Sequence, residues 1–273
     1  MSTRRELHNN RGVALLIVLL VTALLIALIF EFAYGTRVSL RGAVNFRDSQ
    51  RAYFLARLGV KAFEKYGAEL RKVIPQGQWQ PLPPTGDADT AVSIKWEDET
   101  GKIRINYVKT DPITKIMVSN LFEAVKIDTA VYDRLTDPAS GVYTLGLLSG
   151  LHAYMSDEEY NRVSGFLTVS PVSPHMININ AAASEVLQSF GLTQGAAEQI
   201  VQARQENAYT EVGSVPGVSG MMISGSNYLM SSSMTTTSGA VFRVECDATV
   251  GGYTRHVEAV VQGNSIGNYW RAL

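Results

Sequence analysis

The chain has 273 residues, a formal net charge of −1 and a pI near 6.4. This balance excludes an overall field that would draw it to nucleic acid or anionic lipid, and its single cysteine, Cys246, excludes an intrachain disulfide. The length provides for one long helix and one or two compact domains.

An apolar segment at residues 13–30 dominates the N-terminal part of the chain. It corresponds to about 27 Å of helix at about 1.5 Å per residue, which nearly matches a hydrocarbon core of about 30 Å. A short polar leader, 1–12, precedes it and carries Arg4, Arg5 and Arg11 against one glutamate. Positive charge on this side favours a cytoplasmic N-terminus. We therefore predict a single-pass membrane protein whose remaining residues lie across the membrane from the cytoplasm.

The residue order around Gly12 differs from that of a secretory signal peptide, in which small residues follow the apolar segment. Here the small residue precedes the apolar segment. Cleavage after Gly12 would remove the leader and make Val13 the new N-terminus, an arrangement that resembles a prepilin. The alternative interpretation is an ordinary signal anchor with a chance glycine.

The apolar segment continues into a predicted helix that covers residues 13–74. No proline occurs from Phe32 to Ile74, and Pro75 ends the pattern. In the second half of this helix, apolar residues recur at helical spacing: Phe46, Tyr53, Ala56, Val60, Phe63 and Tyr66. Charged residues fill the other side, so we predict that this half is amphipathic and packs one face on a globular domain.

Residues 87–110 are predicted to contribute to a small antiparallel sheet. Apolar and polar residues alternate over 92–96, a polar turn follows at 97–101, and the alternation resumes over 103–107. This pattern is typical of a β-hairpin.

A second strand region, 240–263, lies near the C-terminus. Strands at 241–250 and 253–261 flank two consecutive glycines, which favour a tight hairpin turn. Cys246 falls on the apolar face of the first strand, so we predict that it is a small buried hydrophobe. The two strand regions are expected to share one sheet, with the intervening residues as an insertion.

The insertion, 111–225, is predicted to be helical. Short helices are expected at 116–125, 129–135, 145–154 and 157–165, the last with Asp157 as its N-cap. The segment 177–182 leads into a helix that reaches Phe190, and a second helix is expected at 196–206. Joined through glycines, the two resemble a helix-hairpin-helix, or SAM-like, module. A Ser/Thr-rich loop, 226–239, is predicted to be flexible.

The helix-hairpin-helix pattern raises the question of DNA binding, which needs several cations at the phosphates. Between Ile177 and Gly225, Arg204 is the only basic residue, against four glutamates. We therefore predict that this module binds no nucleic acid and serves packing or protein interaction.

No pattern in the sequence points to catalysis or to a resident cofactor. The four histidines are scattered, and none has metal-ligand spacing to another histidine or to cysteine. Two acidic groups are candidate calcium ligands: Asp128, Asp133 and Asp137, and the run Asp157, Glu158 and Glu159. Neither has the spacing of a calcium loop, so we predict a solvated acidic surface, no cofactor and no enzymatic activity.

Five segments, taken together and in order, resemble the K-type minor pseudopilin (GspK) family of the bacterial type II secretion system. They are the prepilin-like start at 11–17, the helix segments at 49–53 and 58–60, the stretch Asp98–Asn106, and Ile179-Asn180-Ala181-Ala182. The resemblance covers nearly the whole chain. It implies an α+β fold: a pilin-like long N-terminal helix packed on a small antiparallel sheet, with a large all-α insertion that contains the SAM-like module.

The resemblance also implies a location and a function. The location is the bacterial inner membrane, crossed once, with the C-terminal domain in the periplasm. Family members sit at the tip of the periplasmic pseudopilus and nucleate its assembly with other minor pseudopilins, which supports protein export. Most pilin-type proteins carry glutamate at the fifth residue after cleavage; here that position is Ile17. A subunit with nothing ahead of it does not need this buried acid, since an unpaired charge in an apolar filament core is costly.

The expected partners follow from the same resemblance. They are the prepilin peptidase, which would cleave after Gly12 and allow N-methylation of Val13, and the I- and J-type minor pseudopilins, which would dock along the N-terminal helix. The globular end is expected to contact a secreted substrate or the outer-membrane secretin. Family members can bind calcium, but the family's acid-rich motif is not recognisable at 132–138, so calcium binding is not carried over.

Two other functions remain open from the sequence. One is a minor pilin at the tip of a type IV pilus, with a role in adhesion or priming. The other is a membrane-anchored DNA-uptake receptor that uses the helix-hairpin-helix module, against which the acidic surface of that module argues.

Overall fold

The computed structural model describes residues 10–83, 89–172, 176–215, 234–235, 241–263 and 265–272. Most of the predicted leader and most of the predicted Ser/Thr-rich loop lie outside these ranges.

A continuous helix, α1, spans Asn10–Val73. Its backbone leaves helical geometry only at Tyr66, where φ is −121° and ψ is 20°. Arg71 and Lys72 lie in the last turn, where positive charge complements the negative end of the helix dipole. The helix ends at Val73, two residues before Pro75, which cannot continue it.

Five antiparallel strands form the main sheet, in the spatial order β1-β2-β7-β8-β9. Their bounds are Gln80–Pro81, Thr90–Asp98, Val241–Val250, Tyr253–Gln262 and Ser265–Ala272, respectively. Ile94 is opposite Cys246, which in turn is opposite Val257. The prediction that strands from both ends of the chain share one sheet is confirmed, and β9 is a strand that the sequence analysis did not predict.

The second half of α1 packs on one face of this sheet. Their shared core includes Ala56, Val60 and Phe63 from the helix and Trp96, Phe242, Val244 and Cys246 from the strands. Gly59 lies so close to Cys246 that a side chain at position 59 would overlap Sγ. The prediction that Cys246 is buried is confirmed, and burial raises the pKa of its thiol to about 12.

The predicted hairpin over 92–107 is wrong. After β2 the chain makes a 3-10 turn, Glu99–Gly101, and then a two-residue strand, β3 (Ile103–Arg104), that leaves the main sheet. β3 pairs in parallel with β4 (Leu167–Thr168), while both edges of β2 are occupied by β1 and β7. Tertiary pairing thus overrode the local alternation, because β7 takes the edge that a hairpin partner would need.

The insertion has its own hydrophobic core, separate from that under α1, which includes Met117, Leu121, Leu135, Leu151, Leu187 and Ile200. Its α-helices are α2 (Pro112–Ala124), α3 (Thr129–Thr136), α4 (Asp157–Val163), α5 (Ser184–Gln188) and α6 (Gln194–Glu206). It also contains β4 and β5 (Ile177–Asn178), the latter paired in parallel with β6 (Met234–Thr235). The insertion is therefore mainly helical rather than strictly all-α.

Several local predictions within the insertion need correction. Ser156, not Asp157, caps α4, because Ser156 and Glu159 form a reciprocal capping box. The helix expected at 145–154 is a 3-10 helix, Leu148–Ala153, in a glycine-containing stretch of low helix propensity.

The helix expected after Ala182 and up to Phe190 is confirmed as α5, Ser184–Gln188. Before it, the Asn178 side chain accepts a hydrogen bond from the Asn180 backbone N–H at 3.0 Å. Such a local side-chain bond competes with helix formation.

Candidate assembly site

The first half of α1 extends away from the globular part of the molecule. The helix first becomes buried at Asp48 and Ser49, where it meets the sheet. Arg255 of β8 donates two hydrogen bonds to Ser49 Oγ, at 3.0 and 2.7 Å, and so joins helix and sheet at this level. Residues 12–47 therefore form a free rod about 54 Å long, at about 1.5 Å per residue.

The free rod begins with the predicted membrane segment. Its most apolar stretch of 18 residues has a mean hydropathy of 3.3 and none of it is buried. Thr22 is the polar exception, and its hydroxyl donates within the helix to the carbonyl oxygens of Val18 and Leu19, both at 2.9 Å. The helix is thus long and apolar enough to cross a bilayer, by length and composition.

The predicted processing and tip residues all lie on this rod. Gly12 and Val13 are in the first turns of α1, and Val13 is 61% exposed. Ile17, 55% exposed, follows Val13 by four residues and therefore lies on the same side, one turn further along. Their roles stay predictions.

A second exposed apolar surface lies further along α1, on the side that faces away from the sheet. Phe54 and Leu58 are four residues apart, so they lie on one face, and each is 60% exposed. Ala52, Ala56 and Val60 are fully buried on the opposite face. We call Phe54 and Leu58 the outer apolar pair; large apolar groups side by side on a surface are typical of a protein interface.

A buried charge cluster holds the insertion against the sheet. Glu99, with no exposed surface, accepts hydrogen bonds from Lys102 Nζ at 2.8 Å and from Arg243 Nε and Nη2 at 3.1 and 3.2 Å. On the side of the insertion, Ser170 Oγ donates to Glu99 at 2.9 Å, and Thr168 Oγ1 donates to the same oxygen. One carboxylate therefore connects β7 of the sheet to the segment after β4.

The electrostatics of this cluster follow from its pairing. Burial alone would raise the pKa of Glu99, but Lys102 and Arg243 hold it at about 2. Arg243 also pairs with Glu258 Oε1 at 2.5 Å, and these acids raise its pKa further above the ordinary value despite burial. Both partners are therefore ionised at neutral pH, as a buried ion pair with satisfied hydrogen bonds requires.

A second connection runs from the end of β2 to the helix-hairpin-helix module. Asp98 accepts from the Thr100 backbone N–H at 2.9 Å and from Asn178 Nδ2 at 3.3 Å. Gly101 lies so close to this module that a Cβ there would be 2.5 Å from the carbonyl carbon of Ala181. The glycine thus permits a close approach between two backbones.

Arg204, the only basic residue that could serve DNA binding in this module, has an internal role. Its guanidinium donates to the carbonyl oxygens of Ile179 at 2.6 Å and Ala182 at 2.5 Å, and burial lowers its pKa. It holds the turn between β5 and α5 against α6, so its charge points into the module rather than at a ligand.

Three of the six acidic residues considered as calcium ligands serve as helix or turn caps. Asp128 accepts from the Ala130 backbone N–H at 2.8 Å, Asp137 from Ala139 at 2.7 Å, and Glu159 from Ser156 at 2.8 Å. Among the residues that the structure describes, no group of three or more His, Cys, Asp or Glu side chains is arranged to hold a metal ion.

The sequence analysis missed the charge cluster because its members are far apart in the chain. The sequence predicts Glu99 in a polar turn, and Arg243 follows the ordinary alternation of β7, where a charged residue normally faces solvent. The one local signal was the density of charge at 97–102, which the hairpin interpretation explained as a polar turn.

Comparison with known proteins bears on the fold. No protein-family model matches the sequence, and no curated protein matches it. The structure is similar to a chain in the crystal structure of the GspK-GspI-GspJ complex of the type 2 secretion system of enterotoxigenic Escherichia coli, with a TM-score of 0.68 and 10% sequence identity. The similarity covers 85% of this chain and 99% of that chain. The α+β architecture that the sequence resemblance implied is thereby confirmed.

Proposed function

We propose that this chain is a K-type minor pseudopilin at the tip of the periplasmic pseudopilus of a type II secretion system. It would nucleate the filament with I- and J-type minor pseudopilins and support protein export, without catalysis of its own. The observation that carries this proposal is the bare apolar rod of α1 on a fold similar to a chain of the GspK-GspI-GspJ complex.

The rod has a use in two environments. Residues 13–30 suit the hydrocarbon core of the inner membrane, where the subunit would be stored before assembly. Prepilin peptidase would then cleave after Gly12, and the same helix would move into the filament core, packed against the equivalent helices of other subunits. Because both environments are apolar, the helix needs no burial within its own chain, and none is found in this segment.

Position at the tip follows from Ile17. Cleavage gives each subunit a charged amino group at its new N-terminus. In the filament core, this charge can be neutralised by a glutamate at the fifth residue after the cleavage site of a neighbouring subunit. A subunit with isoleucine at this place offers no such acid to a neighbour ahead of it. It can therefore begin a filament but cannot be inserted along the shaft without leaving an amine unpaired.

The outer apolar pair supplies a lateral contact for the I- and J-type partners. Phe54 and Leu58 lie where α1 already belongs to the globular domain, so they would stay outside the membrane. Two large side chains one turn apart match the anchors with which helices pack in a groove or on another helix.

The buried charge cluster around Glu99 supports the proposed role of the insertion. Its ion pairs and hydroxyl hydrogen bonds hold the insertion to the sheet, so that both would move as one body when the subunit leaves the membrane during filament assembly. We propose that its far surface contacts a secreted substrate or the outer-membrane secretin.

The lateral contact can be tested with paired substitutions at exposed positions. Phe54→Asp with Leu58→Asp should abolish co-purification with the I- and J-type subunits from detergent-solubilised membranes, because two carboxylates would have to be desolvated in the contact. Tyr143→Asp, at a residue of the insertion that is 58% exposed, is the control and should leave co-purification unchanged. Unchanged binding of the double variant, with a normal melting temperature, would contradict this docking surface.

A deletion strain separates secretion from pilus assembly. Loss of the protein should block export of type II substrates and leave surface pili intact. Loss of pili with normal export would instead assign the protein to a type IV pilus.

A further inference from the structure

The segment of α1 that follows the apolar residues combines aromatic and basic side chains in a definite order. Phe30, Phe32 and Tyr34 are 71%, 79% and 72% exposed, and Arg37 and Arg41 follow them, also exposed. Tyrosine and tryptophan are enriched where a membrane helix passes from hydrocarbon to headgroups, so Tyr34 is the residue that marks this level. The order therefore indicates the level of the interface on this helix.

The depth of the two arginines follows from the helical rise. If the hydrocarbon begins at Val13, a thickness of about 30 Å ends near Phe32, and Arg37 lies about 7.5 Å beyond it. The headgroup region on each side is about 5–7 Å thick. Side chains on a helix lean toward its N-terminus, which here is toward the bilayer, so Arg37 reaches the phosphates and Arg41 can extend back to them.

The charges along the rod favour an anionic partner. Between residues 13 and 47, Glu31 is the only acid, whereas Arg37, Arg41 and Arg47 are basic. Arg47 is paired with Asp48 at 2.9 Å. Within the described part of the chain, Arg37 and Arg41 have no such partner, and their spacing of four residues brings two like charges together on one face.

We propose that Arg37 and Arg41 bind the phosphate of an anionic phospholipid and so set the depth of the stored subunit in the membrane. Arginine offers a planar fork of donors that matches phosphate oxygens, and an anionic headgroup brings no cation of its own to compete. This proposal rests on the proposed storage of the subunit in the membrane. It adds a lipid-binding site, from which the phospholipid would have to dissociate when the subunit enters the filament.

Lipid selectivity of the full chain tests the proposal. The protein is reconstituted in vesicles of phosphatidylcholine alone or mixed with phosphatidylglycerol, and the lipids that it retains after extraction are identified by native mass spectrometry. We expect phosphatidylglycerol to be enriched roughly 5-fold per arginine, from the usual contribution of one basic residue near an anionic surface. High salt should reduce the enrichment, since exposed charges are screened.

Two double variants make the test specific. Arg37→Gln with Arg41→Gln should remove the enrichment. Arg57→Gln with Lys65→Gln removes the same charge from the same helix, but Arg57 lies about 24 Å further along α1 than Arg41, so the enrichment should persist. Equal selectivity in the wild type and the first variant would overturn the proposal, as would loss in both variants, which would show a nonspecific effect of net charge.

Two further outcomes separate lipid binding from the proposed membrane storage and from contact with a partner helix. If the wild type fails to insert, as judged by extraction with alkaline carbonate, the proposed membrane storage is itself wrong. If the protein inserts and Arg37→Gln with Arg41→Gln keeps the lipid selectivity but no longer co-purifies with other pseudopilins, the two arginines serve a partner helix, and the lipid proposal is overturned.

Discussion

Glu99 and Arg243 are 144 positions apart in the chain and form a bidentate ion pair, with Arg243 Nε and Nη2 at 3.1 and 3.2 Å from the two carboxylate oxygens. Glu99 precedes the insertion and Arg243 follows it. The pair therefore joins the segment that enters the insertion to the strand that follows it. Its loss should loosen the insertion from the sheet.

Glu99→Gln should destabilise the protein by about 2–4 kcal/mol, because the buried positive charges of Lys102 and Arg243 lose the negative charge that pairs with them. Urea unfolding followed by tryptophan fluorescence measures this change, since Trp96 lies in the core between α1 and the sheet. Glu245→Gln is the matched control. Glu245 pairs with Lys95 at 3.1 Å with 20% of each side chain exposed, and its loss should cost less than about 1 kcal/mol. Equal effects of the two variants would contradict the special contribution of the buried Glu99–Arg243 pair to stability.

Stability should fall with acid in a defined range. The pKa of Glu99 is about 2 in the folded protein and near 4.5 when unfolded. Because the folded value is the lower one, the stabilisation is complete above about pH 4.5 and is lost as the pH falls toward about 2. A shift of this size corresponds to about 3 kcal/mol.

The midpoint of urea unfolding at several pH values measures this dependence. Glu97, whose pKa is also lowered, adds to the loss, whereas Asp98, whose pKa is raised by burial, partly offsets it. Glu99→Gln should flatten the profile between about pH 4.5 and 2. A profile as steep as that of the wild type would mean that Glu99 titrates normally.

Gly59→Ala should destabilise the globular domain by about 1–3 kcal/mol, since the added methyl group overlaps Cys246 Sγ in a packed core. Removal of the sulfur by Cys246→Ala in the same chain should recover part of this loss. Gly42→Ala, on the same helix with nothing within 4 Å, is the control and should be neutral or slightly stabilising. Thermal unfolding ranks the three variants. If Gly59→Ala behaved like Gly42→Ala, the helix would not approach the sheet as closely as the structure has it.

Processing after Gly12 should be visible in the mature protein. Mass spectrometry of the N-terminal peptide from native membranes should find a start at Val13, with a methylated amine. Gly12→Val should retain the leader. Among the described residues, no atom outside the helix backbone lies within 4 Å of a Cβ built at position 12, so this effect would report recognition by the peptidase rather than a change of fold. An intact leader in a wild-type strain with active peptidase would leave a signal-anchored periplasmic protein, and the tip model would be abandoned.

Ile17→Glu should reduce the number of pseudopili that start, because the new carboxylate would lie in an apolar filament core without an amine ahead of it. Ile17→Leu keeps the side chain apolar and should behave as the wild type. Counting filaments in cells that overproduce the major pseudopilin gives the number of starts. Normal counts with Ile17→Glu, together with the protein located along the shaft, would contradict a tip position.

The sequence by itself determined those features that depend on local pattern. The apolar segment at 13–30 predicted a membrane-type helix. The recurrence of apolar residues at helical spacing predicted that this helix continues to about residue 74, and α1 ends at Val73. Strict alternation placed Cys246 in the core. These features need no knowledge of distant partners, because helix and strand periodicity already decide which face each side chain occupies.

The tertiary structure alone decided how the parts join. The alternation over 103–107 matched a hairpin, yet β7, more than a hundred residues later, takes the edge of β2 that a hairpin strand would occupy. Glu99 looked like one charge in a polar turn and is instead a fully buried acid between Lys102 and Arg243. Strand pairing and buried ion pairs are contacts between residues distant in sequence, and their partners become known only when the whole chain is folded.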